Sequence, residues 1–227
     1  MLSRIALALV ASASMLPMAA QAQETNNNAN AVASEEIVVT AQKREELLRD
    51  VPQSVSAITG DTLQRVQAND FSDYVGRIPG MSETGSQPGQ SRLTLRGLDA
   101  AGVASTIGTY IDETPFGSST ALANGGVLAI DLDPYDIARV EVLRGPQGTL
   151  YGASTLGGLI KFVTVDPTQN FEGRISGTGE STEGGDPSWG IRGLLNIPLG
   201  SQAAVRVSAW NRSQGGYIDD PSRGEDN

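Results

Sequence analysis

Four acidic residues, Asp131, Asp133, Asp136 and Glu141, lie close together in the chain and raise the question of a cation site. A dedicated calcium loop also needs a glycine at its sharp turn and a closing glutamate. That spacing is missing here, so solvation or helix capping is the expected use of these carboxylates. Asp112-Glu113 is a second acidic pair, but adjacent residues on a strand point to opposite faces and make a poor catalytic dyad. The segment Gly145-Pro146-Gln147-Gly148-Thr149-Leu150-Tyr151-Gly152 invites a phosphate-binding reading. It lacks both the Gly-Lys-Ser/Thr ending and the G-x-G-x-x-G spacing, and its glycines are expected to permit tight turns. The chain has no histidine and no cysteine. That removes the commonest general base, the commonest metal ligand and any thiolate chemistry. No nucleophile–base pair emerges, and the expectation is a protein that is not an enzyme, with no cofactor and no metal.

Two other groups carry more information. Arg96 and Arg144 each close an alternating apolar run and each precede a glycine, Gly97 and Gly145. Their planar donor forks suit carboxylate partners. The second group is the peptide Glu36-Ile37-Val38-Val39-Thr40-Ala41. Its β-branched middle favours extended structure. An Asn-rich tail precedes it and a charged stretch follows, and neither offers an obvious partner strand.

The elements that must position these groups follow from the rest of the 227 residues. Residues 1–22 combine a positive start, a short apolar run and an Ala20-Gln21-Ala22 site, the pattern of a secretory signal peptide with cleavage after Ala22. The apolar run is too short to span a bilayer. Residues 23–50 are expected to form a flexible segment. From Val51 to Val165 short strands and short helices alternate with long loops, which implies a small α+β domain with a mixed sheet. Strands are expected over 55–59, 92–96, 107–112, 137–144 and 159–165, and helices over 62–68 and 71–78. Beyond residue 166 come three longer segments, 171–180, 189–199 and 203–212, each with the length of a tilted membrane strand. Ile191, Leu195 and Ile197 fall on one face, as do Val205 and Val207, with Arg206 opposite. Trp189, Trp210 and Tyr217 sit near strand ends. By pattern alone a soluble meander fits these segments equally well. The net charge of -10 argues against nucleic acid as a partner.

Taken in order, several motifs resemble the N-terminal part of TonB-dependent outer-membrane receptors. They are Glu36-Ile37-Val38-Val39-Thr40-Ala41, Val51-Pro52-Gln53-Ser54-Val55, Leu95-Arg96-Gly97, Arg139-Val140-Glu141-Val142-Leu143-Arg144-Gly145-Pro146, Leu150-Tyr151-Gly152 and Gly157-Gly158-Leu159-Ile160. The resemblance implies a plug domain over 51–165, followed from 166 to 227 by the first antiparallel strands of an incomplete transmembrane β-barrel. It makes 23–50 a flexible periplasmic segment and residues 36–41 a TonB box, extended into the periplasm and bound by the TonB energy transducer through strand addition. It places Arg96, Gly97, Glu141, Arg144 and Gly145 at the contact between plug and barrel. The implied activity is energy-coupled uptake of a scarce small-molecule ligand across the outer membrane, with a ferric siderophore as the first expectation. A soluble periplasmic plug-like binding or signalling module without a barrel is the alternative.

Overall fold

The computed structural model of the chain describes residues 36–87, 90–99, 105–117, 132–183 and 185–216. The signal-peptide and cleavage expectations, the 23–35 tail, Asp131 and Tyr217 lie outside them.

The central sheet forms from segments rich in β-branched residues, with apolar and polar residues alternating within Ile137–Arg144. In chain order its strands are β3 (Val55–Thr59), β7 (Ile107–Ile111), β8 (Thr114–Phe116), β9 (Ile137–Arg144) and β10 (Gly158–Thr164), arranged β3-β9-β10-β7-β8. All neighbours are antiparallel except β7 and β10, which run parallel. The sheet is therefore mixed, as the α+β expectation required. Alternation sends Val140, Val142, Ile160 and Phe162 to one face and Glu141, Leu143, Leu159 and Lys161 to the other.

Helices α1 (Gly60–Arg65) and α2 (Ser72–Val75) cover the first face, bringing Leu63, Phe71, Tyr74 and Val75 into one apolar cluster. Both helices are shorter than the sequence predicted. Thr59 caps α1 by accepting from the Thr62 backbone N–H, and Gln67 adopts positive φ just beyond it, which ends the helical path. Gly60 is fixed by packing, since a Cβ there would lie 2.3 Å from the Ile137 carbonyl oxygen. A small sheet of β4 (Met81–Gln87), β5 (Gln90–Leu95) and β6 (Leu98–Asp99) adds Met81 and Leu95 to the same cluster. Inside the glycine-rich segment a turn of helix appears that the sequence reading did not predict, α3 (Gly148–Tyr151).

The opposite face is covered by residues 36–51. Val38–Val39 and Glu46–Leu47, here β1 and β2, pair antiparallel as a tiny hairpin. Lys43 at positive φ lets its N–H reach the Thr40 carbonyl and close the turn. The expected flexible run through Asp50 is thus corrected from Glu36 onward. The missing partner strand is Glu46–Leu47, two residues too short to show a periodic pattern. Val39, Ala41 and Val51 pack with Leu143, Tyr151 and Leu159 in a second apolar cluster.

Three long strands follow, β11 (Glu172–Glu180), β12 (Ser188–Pro198) and β13 (Ala204–Ser213), in a separate antiparallel sheet of that order. Their bounds fall within a residue or so of the sequence expectation.

Candidate functional site: the 36–41 peptide and the arginines at the plug's edges

The central strands place Glu141 and Lys161 directly opposite each other on the face that the 36–41 peptide covers. Both are almost fully buried. A charge there must be paired or the fold is strongly penalised. Glu141 Oε1 accepts from the Thr40 backbone N–H at 2.8 Å, from the Thr40 hydroxyl at 3.2 Å and from Arg139 Nε at 2.7 Å. Lys161 Nζ donates to the Thr40 carbonyl at 3.4 Å and pairs with Glu113. The Tyr151 hydroxyl donates to the Ala41 carbonyl at 2.9 Å. At the ends of the segment, Leu48 N–H donates to the Ile37 carbonyl at 2.8 Å and Arg49 pairs with Glu36 at 2.7 Å. The peptide is therefore read by its backbone and by one hydroxyl, with Val39 and Ala41 as apolar anchors.

Burial raises the pKa of the Tyr151 hydroxyl well above its ordinary value, helped by the nearby Glu113 and Glu141 charges. Tyr110 shifts the same way, from burial first and Glu113 second. The two rings meet edge to face with centroids 5.0 Å apart, and the Tyr110 hydroxyl donates to the Tyr151 carbonyl. At neutral pH both phenols are fixed as donors.

Arg96, Gly97, Arg144 and Gly145 gather at one end of β3. Arg96 Nη2 donates to Ser54 Oγ at 3.3 Å, and Arg144 Nη2 donates to Ser56 Oγ at 2.9 Å. A Cβ at Gly145 would lie 3.9 Å from Arg96 Nη1. Neither arginine has a carboxylate partner among the ion pairs of the described residues, and Arg144 Nε lacks a hydrogen-bond partner there. Glu141 does not join them. The pleat turns it to the opposite face, beneath Thr40. The acidic cluster is likewise dispersed. Asp133 caps the turn before β9 by accepting from the Tyr135 N–H at 2.9 Å, Asp136 meets Arg206, and Glu141 serves the peptide.

Sequence reasoning missed a second set of arginines. In β11–β13 the even-numbered Glu172, Arg174, Arg192, Leu194, Asn196, Arg206 and Arg212 are buried or half-buried, while the odd-numbered Ile175, Ile191, Leu195, Ile197, Val205 and Val207 are exposed. Arg192 Nε lies 2.8 Å from Asp133 Oδ2. Arg206 holds Asp136 at 2.6 Å and Glu172 at 3.1 Å. Arg212 Nη1 donates to the Asn69 carbonyl at 2.5 Å. Burial raises the Asp133 pKa, while Arg192 and the Tyr135 N–H work in the opposite direction. Asn196, fully buried, donates to the Thr168 and Asn170 carbonyls at 2.8 and 2.6 Å and accepts from the Thr168 N–H. The available signal was the alternation of Arg206 against Val205 and Val207.

Residues 47–159 match the model of the TonB-dependent receptor plug domain. A hemin receptor of Yersinia enterocolitica is 32% identical over 196 residues, covering 83% of this chain and 27% of that protein. The vitamin B12 transporter BtuB of Vibrio vulnificus is 28% identical, over 71% of this chain and 25% of its own length. Among solved structures, the ferric yersiniabactin uptake receptor FyuA of Yersinia pestis superposes with a TM-score of 0.56 at 26% identity, covering 70% of this chain and 24% of that one. The chain spans about a quarter of the length of these relatives. A mixed plug sheet, its ordered motifs and the strands that follow it place this chain in the family of TonB-dependent receptors, as its plug region.

Proposed function

We propose that the chain is the coupling and gating end of an outer-membrane receptor for energy-coupled uptake, with residues 36–41 as the segment offered to TonB. The observation that carries this reading is the docked state of that segment. Glu36, Ile37, Val38, Val39, Thr40 and Ala41 are held largely through backbone groups, the same groups that strand addition to a partner's sheet edge uses. The two interactions exclude each other, so coupling requires the peptide to leave Glu141 and Tyr151. Arg96 and Arg144, without carboxylate partners in the described residues, are suited to acidic residues on a barrel wall. The ligand class follows from the relatives, whose names specify hemin, vitamin B12 and ferric yersiniabactin. A bulky metal chelate is common to all three, and an iron chelate is the first candidate.

The outward faces of β11–β13 support a membrane setting. Ile175, Ile191, Leu195, Val205 and Val207 are exposed, an apolar band that water disfavours and lipid accepts. One observation favours the soluble-module reading, namely that these strands are already fastened to the plug. Fractionation of cells separates the two, since recovery in the periplasm as a chain of this size supports the soluble module. The test of coupling is Val39→Pro, which removes a backbone donor and fixes φ. Energised uptake of hemin or a ferric siderophore is expected to be lost while binding to unenergised cells persists. Undiminished uptake in that variant would overturn the assignment of 36–41.

A further inference from the structure

We infer that Arg192 and Arg212 clamp the plug at Asn69–Asp70 and so set how much of it a pull on residues 36–41 can withdraw. This rests on the uptake reading above. Following the chain from the pulled end, the first contacts are the β1–β2 hairpin and the hydrogen bonds to Glu141 and Tyr151. Next comes β3, an edge strand paired on one side only, with β9. Then comes α1, which packs on β9 and on the turn Pro134–Asp136. Its arginine bonds stay within the helix, Arg65 donating to the Asp61 carbonyl and the Thr62 hydroxyl. Among the described residues, the ion pairs made by β11–β13 outside their own sheet reach Asp70, Asp133 and Asp136.

At Asn69 this changes. Arg192 Nη2 donates to Asn69 Oδ1 while its Nε holds Asp133. Arg212 Nη1 donates to the Asn69 carbonyl and stands 4.0 Å from Asp70. Register places Arg212 opposite Gly190 and Arg192 opposite Trp210, so the two guanidiniums are near neighbours on the inward face. Strand β12 is itself paired on both sides, and force on Asn69 passes into a sheet rather than a lone strand. Arg206 on Asp136 and Glu172 secures the adjoining turn.

The clamp also determines where a passage opens. A cavity of about 720 Å³ lies between α1 and β11, walled by Gln64, Gln67 and Ala68 on one side and Ser176 and Thr178 on the other. Withdrawal up to Asn69 removes the α1 wall and leaves Pro134 and Tyr135 in place. The cavity then widens along a polar strand surface while the remaining plug stays fixed to that sheet.

The absence of native cysteine in the chain allows a direct test. Val51→Cys, Ala68→Cys and Val75→Cys each put a thiol at a buried position, 8%, 4% and 8% exposed. In the receptor carrying this chain, maleimide labelling at 51 and 68 is expected to rise at least tenfold during energised uptake, with 75 unchanged. Combined R192Q and R212Q should extend labelling to 75 under energisation only, and Asp133→Asn should weaken the same boundary from the plug side. Labelling at 75 with both arginines intact, protection of 68 while uptake proceeds, or an unmoved boundary in R192Q/R212Q would each overturn the clamp. So would labelling at 75 in unenergised variant cells, which signals plain loss of stability. A receptor that binds ligand without energised uptake sinks the transport reading itself.

Discussion

Thr40 and Glu141 are 101 residues apart, and Glu141 Oε1 accepts both the backbone N–H and the hydroxyl of Thr40. A buried carboxylate thus receives two of its three hydrogen bonds from the peptide proposed to leave. Glu141→Gln keeps the shape and removes the charge. Charge-assisted bonds are about twice as strong as neutral ones, so docking should weaken by about 1 kcal/mol. A larger free fraction tightens apparent affinity in proportion. Titration with the soluble periplasmic part of TonB is expected to show several-fold tighter binding. Equal or weaker affinity would remove Glu141 from the latch.

Tyr151 gives the latch an alkaline limit. Burial raises its folded pKa above the ordinary phenol value of 10.0. Below pH 10 both folded and unfolded forms are protonated and the contribution is complete. Above it the unfolded phenol ionises first, so stability falls as pH rises toward the folded value. Tyr110 acts in the same direction. Tyr151→Phe should cost about 1 kcal/mol at pH 8 by losing the bond to Ala41 and should flatten the decline above pH 10. Thermal unfolding from pH 8 to 11 measures both, and an unflattened curve in Tyr151→Phe assigns the decline elsewhere.

The sheet was legible because apolar residues recur at every second position from Ala138 to Val142 and Leu159–Val163 is a short, mostly apolar run, and residues 137–144 emerge in the structure with the bounds read from sequence. The docking of 36–41 was not legible. Its partner Glu46–Leu47 is two residues long, and its anchor Glu141 reads in sequence as one more polar residue of an alternating strand. Only the pairing of β9 with β10, which sets Glu141 beside Lys161, shows which face needs a cover. The same blindness hid Arg192 and Arg212, since alternation shows that a side chain faces inward but not which carboxylate it meets.

Gly158 tests the sheet's geometry. It sits at φ 142°, and a Cβ there would lie 2.2 Å from the Leu143 carbonyl oxygen and 2.7 Å from Leu95 Cδ2. Gly158→Ala must therefore both strain the backbone and push β9 away. Each effect costs about 1–3 kcal/mol. Denaturant unfolding is expected to show a loss of about 3 kcal/mol, and a change under 1 kcal/mol would contradict the packing described.

The last prediction concerns the three strands. A membrane strand must pair on both edges, because lipid supplies no hydrogen-bond partners. Here β11 and β13 each have a free edge in their sheet, and Ile175 and Val207 stand 76% and 58% exposed. In water such edges and faces recruit other chains. The plug depends little on the strands for apolar cover, since Leu194 is their one buried hydrophobic residue among those described. The remaining contacts are ion pairs and hydrogen bonds from Arg192, Arg206 and Arg212, and cutting the chain returns Asp133 and Asp136 to water, where a carboxylate is well solvated. Residues 36–165 alone are therefore expected to sediment as a folded monomer. Residues 36–227 are expected to self-associate in buffer and to disperse in detergent micelles. A monomeric, protease-resistant 36–227 in plain buffer would show that the arginine contacts suffice to keep the strands on the plug, and the soluble-module reading would then displace the receptor.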